Sequence, residues 1–506
     1  MQEKVFAFLG DPAHHADVKR IDTHAASVFL ESSRALKIKR AVRFPFLDYS
    51  TLDKRKAACE EEIKVNRPFA PQIYRRVVPI TLDAKGQLSI DGDGRPVEYA
   101  VEMMRFDERK TIDHLARDNA LDDHLVEAMA DSIADAHRIA PVVPADPWLQ
   151  SVPRLIEDNS NALRAAGSFP TDEIEELGTA THAAFYRLRP LLEQRGKAGF
   201  VRRCHGDLHL ANIVVIDGKP VLFDAIEFDQ RIASIDVLYD LAFVLMDLLR
   251  YGRRDAANTV LNRYLSVTPD ENLDALATLP LLMSIRAAIR AHVLLARAHR
   301  ADAARTAAET DARAYFDLAR QLIHPRPPTL IAVGGLSGTG KSVLARSIAS
   351  AIPPAPGAVI LRSDVLRKRL FGVGAEDRLP ASAYGPQVGQ RVYDLLAQQA
   401  SHVLSQGHSA VADAVFARES ERAAIRDVAN RSYNRFIGLF LVADLKTRQA
   451  RISRRTRDAS DATTEIARLQ EQYDVGAVDW ALIDASGTPE ETLRACRSRI
   501  AAFEAD

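Results

Sequence analysis

The sequence predicts an α+β domain followed by an α/β domain with a parallel sheet. Upstream of residue 324, strand-like segments come before helical stretches that begin at about residue 110, an order typical of α+β folds. Downstream, short apolar segments alternate with helical ones, as in a parallel sheet covered by helices. Between them, His324–Pro328 holds three prolines, which a helix cannot accommodate. We therefore expect two domains, 1–324 and 325–506.

Composition and charge are those of an ordinary globular protein. Of the 506 residues, 47% are hydrophobic and 27% charged, and the formal net charge is -1, which gives no overall attraction to nucleic acid or anionic membranes. The first apolar run ends at Gly10, too short for a signal peptide or a membrane span, so we expect a cytoplasmic protein. The distant cysteines Cys59, Cys204 and Cys496 predict reduced thiols rather than disulfides or a zinc site. The sequence predicts no oligomeric state.

The strands can be assigned from their apolar runs. In the first domain, the predicted strands are SVFL, ALKIKRAV, VVPITL and VEYAVEMM. In the second domain, they are TLIAVGG, GAVILRSD, HSAVADA and RFIGLFLVA, each separated from the next by helical sequence.

A polar cluster in HGDLHLANIVVIDGKPVLFD predicts a phosphoryl-transfer centre. Asp207 precedes Asn212 by five positions, the spacing of a kinase catalytic loop. The segments IVVI and VLF around the turn DGK predict a hairpin that returns Asp224 beside Asn212. Asp207 would orient a substrate hydroxyl and accept its proton, whereas Asn212 and Asp224 would hold Mg²⁺ through oxygen ligands.

This loop resembles that of the aminoglycoside phosphotransferase and choline kinase branch of the kinase-like fold, which reads H-G-D-x-H-x-x-N. The resemblance extends to DVLYDLAF, with Asp236 and Asp240. It implies a bilobal domain, with an N-lobe over about residues 1–105, a C-lobe over about 106–324, and VEYAVEMM as the hinge.

The same resemblance implies a lysine that grips the nucleotide phosphates and a glutamate that pairs with it. We expect Lys37 and Glu62 in these roles, with Lys39 as the alternative lysine and Glu60 or Glu61 as alternative glutamates. The chain departs from protein kinases because it lacks G-x-G-x-x-G before Lys37 and has Ala225 where D-F-G has glycine. Glu227 and Asp229 downstream are expected either to bind the metal or to cap the next segment.

A second and unrelated motif, GLSGTGKS, satisfies G-x-x-x-x-G-K-[ST] between an apolar strand and a helix. Its glycines allow backbone N–H groups to surround phosphates, Lys341 reaches the β- and γ-phosphates, and Ser342 binds Mg²⁺. The predicted nucleotide-binding residues of the motif are Gly335, Ser337, Gly338, Thr339, Gly340, Lys341 and Ser342.

The acceptor side of this second centre is expected where strands end. Asp364 ends the predicted strand GAVILRSD, and Arg367 follows it on the same helical face. The arrangement resembles P-loop kinases of the polynucleotide kinase, zeta toxin and gluconate kinase kind, which implies that Asp364 takes the proton of a substrate hydroxyl. The alternative is a helix N-cap. Asp413 would hold Mg²⁺ or its water, and Arg367 and Arg418 would contact substrate.

A cationic stripe follows the last predicted strand. Arg448, Arg451 and Arg455 are spaced three and four apart, hence on one helical face. The resemblance implies a lid, in which Arg451 and Arg455 bind the transferring phosphoryl group. The alternative is a solvated basic helix.

Taken together, the motifs resemble a bacterial family of bifunctional phosphotransferase and ATP-binding proteins over nearly the whole chain. The resemblance implies an ATP- or GTP-dependent, Mg²⁺-dependent kinase of small hydroxyl compounds such as sugars, amino sugars, aminoglycoside-like compounds or nucleosides. One alternative is a nucleotide-gated regulator in which one module binds without transferring phosphate. Another is phosphorylation of nucleic-acid ends by the second domain, although no aromatic residues accompany its arginines.

Overall fold

The computed structural model describes residues 1–12, 18–44, 47–298, 305–374, 376–454 and 459–505. The chain divides into two units, Met1–Tyr251 and Gly252–Asp506. The second unit therefore includes the helices before the three prolines, and the domain boundary at residues 324 and 325 stays a prediction.

The first unit begins with a sheet that carries part of the first predicted centre. In its described residues, six strands pair antiparallel in the order β1-β2-β3-β8-β6-β7. Leu36, Ile38, Val78 and Ala100 belong to the apolar core on one face. The elements are α1 (Gln2–Leu9), β1 (Lys19–Asp22), β2 (Ala26–Leu30), β3 (Arg34–Lys39), β4 (Arg43–Phe44), β5 (Leu47–Asp48), α2 (Leu52–Asn66), β6 (Tyr74–Leu82), β7 (Leu88–Ile90) and β8 (Arg95–Met104).

The rest of the first unit is helical, apart from two short strand pairs. The predicted hairpin is confirmed, since β10 pairs antiparallel with β11, and it packs on α4. The elements are α3 (Ile112–Arg117), α4 (Asp123–Ile139), α5 (Asp146–Ala166), α6 (Thr171–Lys197), β9 (Val201–Arg203), β10 (Ile213–Ile216), β11 (Lys219–Leu222), α7 (Gln230–Ala233), β12 (Ser234–Asp236) and α8 (Val237–Arg250).

The second unit starts with helices α9 (Arg254–Val267), α10 (Leu279–Ala298) and α11 (Arg305–Ile323). Asn262 of α9 accepts a hydrogen bond from the Ile360 N–H and so covers a sheet edge within this unit. The stretch Asp270–Ala296 is long and apolar enough to cross a membrane, but it is mostly buried inside the protein, as the core helix of a globular unit would be.

A parallel sheet forms the remainder of the second unit, as predicted. Within its described residues, five strands lie in the order β14-β15-β13-β16-β17, and every pair is parallel. Parallel strands end at one edge of a sheet, so the loops after β13, β14 and β15 meet there. The elements are β13 (Thr329–Gly335), α12 (Lys341–Ala349), β14 (Val359–Arg362), α13 (Ser363–Leu370), α14 (Pro386–Ser405), β15 (Ala410–Asp413), α15 (Glu419–Arg431), β16 (Arg435–Val442), α16 (Leu445–Ser453), α17 (Thr464–Leu469), β17 (Ala481–Asp484) and α18 (Pro489–Ala505).

Candidate functional site

The first centre is built around the ammonium group of Lys37. Lys37 Nζ lies 2.8 Å from Glu62 Oε1 and 2.5 Å from Asp224 Oδ1. Strand β3 supplies the lysine and helix α2 the glutamate, whereas Asp224 follows the β10–β11 hairpin. Residues far apart in sequence thus meet at one cation.

The charges in this cluster are stabilised by one another. Burial lowers the pKa of Lys37, but Asp224 and Glu62 outweigh burial and raise its pKa well above the usual value. Burial raises the pKa of Asp224, but Lys37 outweighs it, so the pKa of Asp224 is lowered. The centre therefore presents a permanent cation beside an ionised carboxylate at neutral pH.

A second lysine lies beside the first on the same face of β3. Lys39 Nζ lies 2.5 Å from Glu62 Oε2 and also pairs with Glu227, which accepts a hydrogen bond of 3.1 Å from the hydroxyl of Tyr49. Burial lowers the pKa of Lys39, but Glu227 and Glu62 outweigh it and raise the pKa. Both candidate lysines therefore form an ion pair with Glu62, but of the two only Lys37 also pairs with Asp224.

The alternative glutamates of α2 lie away from this cluster. Glu60 pairs with Lys56 and Glu61 with Lys64 on the outer side of the helix. Glu62 is fully buried, as its contact with the lysines requires.

Asp207 and Asn212, the candidate catalytic-loop residues, are in contact, as their spacing suggested. Asn212 Nδ2 donates to the backbone oxygen of Asp207 at 2.9 Å and lies 3.3 Å from Asp207 Oδ2. His209 Nε2 lies 3.5 Å from the same carboxylate oxygen. The amide side chain therefore fixes the loop that presents the carboxylate, which is 43% exposed and so reachable by a substrate.

Asp240 of α8 anchors the loop that contains Asp207 and Asn212 through the turn at its start. Its two carboxylate oxygens accept the N–H groups of His205 and Gly206, each at 3.0 Å. Gly206 has a φ of +85°, and a Cβ there would lie 3.1 Å from Ala233, so this turn requires glycine. Asp236 instead caps α8 and pairs with buried Arg195 at 2.7 Å.

Two residues that sequence reasoning missed hold the segment after the hairpin. The N–H of Asp224 donates to the hydroxyl of Tyr74 at 3.0 Å, and Asn66 exchanges hydrogen bonds with the backbone of Ala225 at 2.7 and 3.2 Å. Asp224 has a φ of +62°, a left-handed conformation that these contacts stabilise. No motif marks Tyr74 or Asn66.

The donor set of the first centre fits Mg²⁺. Asn212 and Asp224 offer an amide and a carboxylate oxygen, which are ligands of a hard cation. Asp229 caps α7 and pairs with Arg231, so its contacts match the capping alternative. Glu227 is committed to Lys39 and Tyr49.

The second centre begins where β13 ends and α12 starts. Gly335, Gly338 and Gly340 have φ values of +135°, +87° and +97°, as a phosphate-binding loop requires. A Cβ on Gly338 would lie 2.6 Å from the backbone oxygen of Arg448. Ser337 and Thr339 lie within this loop and are buried.

The hydroxyl and carboxylate expected at a metal lie together. Ser342 Oγ donates to Asp413 Oδ2 at 2.6 Å, and Arg362 contacts the same two side chains at 3.1 and 3.3 Å. This donor set also suits Mg²⁺. Arg362 was missed, although its place at the end of β14 was a usable signal.

A cavity of about 700 Å³ gathers the predicted residues of the second centre. The side chains that line it include Lys341, Ser342, Asp364, Arg367, Asp413 and Arg418.

Asp364 belongs to the first turn of α13, not to the end of β14, because the strand ends at Arg362. It does not cap the helix, whose N-cap is Arg362. Burial, together with nearby Asp413, raises the pKa of Asp364. Ser460 supplies a hydrogen bond to this carboxylate. A partly buried carboxylate with a raised pKa is suited to accept a proton.

The two arginines expected at the substrate differ in their surroundings. Arg367 donates to the backbone oxygen of Ala383 at 2.8 Å and stacks on Tyr384, with 5.0 Å to the ring centroid. Arg418 is exposed at the start of α15, and its N–H donates to Glu421 at 3.1 Å. Tyr384 is a further cavity residue that sequence reasoning missed.

The cationic stripe of α16 is partly built into the fold. Arg448 is buried and pairs with Glu471, so it is not a solvated arginine. Arg451 donates to the backbone oxygens of Thr339 and Gly487 at 3.2 and 2.6 Å. Arg455 lies outside the described residues.

Comparisons with known proteins match both parts of the chain. Residues 41–279 match the model of the phosphotransferase enzyme family, and residues 330–475 match the model of an AAA domain. An uncharacterized protein of Mycobacterium tuberculosis is 28% identical over 485 residues, 93% of each chain, and one of Mycobacterium bovis matches equally.

Similar solved structures include a choline kinase from Cryptosporidium parvum, with 11% identity, 60% of this chain and 88% of that chain covered, and a TM-score of 0.38. Another is a gluconokinase from Sinorhizobium meliloti, with 21% identity, 35% and 94% covered, and a TM-score of 0.26. From these matches, this chain is a kinase whose residues 41–279 are similar to the phosphotransferase enzyme family and whose residues 330–475 are similar to an AAA domain of the P-loop kinase-like kind.

Proposed function

We propose that the chain is a bifunctional kinase whose two centres each transfer the γ-phosphoryl group of ATP or GTP to a hydroxyl of a small molecule. The observation that supports the proposal is that each unit brings together a lysine, a candidate base and candidate Mg²⁺ ligands. One set contains Lys37, Asp207 and Asp224, and the other contains Lys341, Asp364 and Asp413.

In the first centre, Lys37 would bind the nucleotide phosphates while Glu62 holds its ammonium in place. Asp207 would orient the acceptor hydroxyl and take its proton. Mg²⁺, held by Asn212 and Asp224, would neutralise charge on the phosphates.

In the second centre, the backbone of Gly335–Ser342 would surround the phosphates, and Ser342 with Asp413 would hold Mg²⁺. Asp364 would accept the proton of the second acceptor. Arg367 Nε is buried without a hydrogen-bond partner among the described residues, which supports an anionic group of the nucleotide or acceptor in this cavity.

The proposal is tested by nucleotide turnover with a panel of sugars, amino sugars and nucleosides. We expect Asp207→Ala to abolish ADP or GDP formation with one acceptor class and Lys341→Ala to abolish it with another. Asp217→Asn and Lys446→Ala are matched controls, because both residues are exposed and lie outside the two centres.

Two results contradict the proposal. Turnover that is insensitive to both substitutions means that both centres are misassigned. Nucleotide binding without turnover at one centre, measured by calorimetry in the other centre's variant, supports the regulator instead. A 5′-hydroxyl oligonucleotide in the same panel tests end phosphorylation by the second domain.

A further inference from the structure

The segment after α16 brings a serine into the cavity of the second centre. Ser460 lines the same cavity as Lys341, Ser342, Asp364 and Asp413. Its hydroxyl is hydrogen-bonded to the carboxylate of Asp364, the group that would accept a proton from an acceptor hydroxyl. Ser460 therefore occupies the position relative to the base that the proposed reaction assigns to a substrate.

The neighbouring residue holds this serine in place. Asp461 accepts hydrogen bonds from the hydroxyl of Tyr384 at 2.6 Å, the N–H of Leu379 at 3.1 Å and the ammonium of Lys368 at 3.2 Å. Burial raises the pKa of Asp461, but Tyr384 and the other donors outweigh it, so the pKa is lowered and the anchor stays ionised. These three contacts to the Asp461 side chain fix the backbone next to Ser460.

We propose that the second centre phosphorylates Ser460 of its own chain. The inference rests on the proposed kinase activity of this centre. Ser460 Oγ attacks the γ-phosphorus of ATP bound at the Gly335–Ser342 loop, and a new P–O bond forms. The bond from the γ-phosphorus to the bridging oxygen breaks, ADP leaves with that electron pair, and the hydroxyl proton passes to Asp364.

The product would change the cavity. A phosphoserine carries nearly two negative charges at neutral pH and would stand beside Asp364 and Asp413. Like charges repel, so the modified segment would leave Asp364 or be drawn to a cation such as Arg367, which lines the same cavity. Phosphorylation would thus move Ser460 away from Asp364 and leave that carboxylate accessible to another acceptor hydroxyl.

The test uses the full chain with ATP and Mg²⁺ and no added acceptor. We expect intact-mass spectrometry to show the gain of a single phosphoryl group, which fragmentation assigns to Ser460. Ser460→Ala should lose the modification, Ser460→Thr should keep it at the same position, and Lys341→Ala should lose it. Ser363→Ala is the matched control, a serine that lines the same cavity, and it should still be labelled.

The outcomes separate this inference from the proposed function. Lys341-dependent phosphorylation of an added acceptor with Ser460 unmodified overturns the inference and leaves the proposed function standing. Absence of both reactions overturns both. Modification of Lys341→Ala chains by added wild-type protein overturns transfer within one chain.

Discussion

Ser342 Oγ lies 2.6 Å from Asp413 Oδ2, which joins the first turn of α12 to the end of the neighbouring parallel strand β15. The hydroxyl comes from the phosphate-binding loop and the carboxylate from a strand that pairs with β13. A cation bound by Ser342 would therefore also experience the charge of Asp413.

This relationship predicts a Mg²⁺-dependent defect in Asp413→Asn. We expect ATP affinity at the second centre to fall about 10–100-fold with Mg²⁺, because the Asp413 carboxylate would orient Ser342 and contribute negative charge at the metal that both residues hold. Without Mg²⁺ the affinity should change little. Calorimetry in a Lys37→Met background, which weakens the first centre, measures both conditions.

Asp427→Asn is the matched control, since Asp427 is exposed on α15 of the same unit. An equal loss of affinity with and without Mg²⁺ would contradict a metal role for Asp413.

Replacement of Lys37 is expected to affect mainly ATP affinity, whereas replacement of Lys39 is expected to affect mainly the stability of the fold. Lys37→Met removes the cation beside Asp224 and should lower ATP affinity at the first centre strongly. Lys39→Met leaves Glu227 and one oxygen of Glu62 without their cation, which should lower the free energy of unfolding by about 3–5 kcal/mol.

Urea unfolding and ATP titration of both variants check this distinction. A Lys39→Met variant that remains stable but no longer binds ATP would contradict this assignment, because Lys39 would then be the lysine that binds the nucleotide phosphates.

The turn at His205 and Gly206, which precedes the candidate base Asp207, depends on Asp240. Asp240→Asn replaces an oxygen that accepts a backbone N–H with an N–H donor, so the turn at His205 and Gly206 should shift. We expect kcat to fall about 10–100-fold, the range for lost hydrogen bonds to a charged group, with ATP affinity retained. Steady-state kinetics with a first-centre acceptor measures the split.

Asp135→Asn is the control, because Asp135 is exposed on α4 and pairs only at the surface with Arg138. A loss of ATP affinity that parallels the loss of kcat would mean that Asp240 supports the whole domain rather than the loop.

The parts of both centres that were predictable are local in sequence. The candidate phosphate-binding residues Gly335–Ser342 are consecutive in the sequence, so one motif identifies all of them. The hairpin between Asn212 and Asp224 is equally local, since a tight turn determines where the chain returns. Strand alternation also placed Lys37 and Lys39 on one face, and both contact Glu62.

The parts that could not be predicted depend on contacts between distant segments. Tyr74 and Asn66 hold the backbone after the hairpin from about 150 positions away, and their side chains carry no motif. Helical spacing placed Arg448 on a cationic face, but spacing does not reveal the partner that buries it, Glu471. Asp364 was displaced from its predicted strand because Ser363 already begins a helix.

The last prediction concerns acid stability of the second unit through His408. The side chain is buried, and its Nε2 lies 2.8 Å from the backbone oxygen of Gly357. Burial lowers the pKa of His408 to about 4, an effect that this hydrogen bond only partly opposes. The unfolded chain protonates its histidine near pH 6.5, so below that pH it binds more protons than the folded state.

Stability should therefore be fully present above about pH 6.5 and should fall as the pH decreases towards 4, by up to about 3 kcal/mol from this residue. The chain has two tryptophans, Trp148 and Trp480, one in each unit, so Trp148→Phe leaves a fluorescence signal that reports on the second unit alone. In that background, His408→Gln should flatten the dependence of the urea midpoint on pH. Exposed His324→Gln should leave it unchanged, and an unaltered slope in His408→Gln would assign the acid sensitivity to other groups.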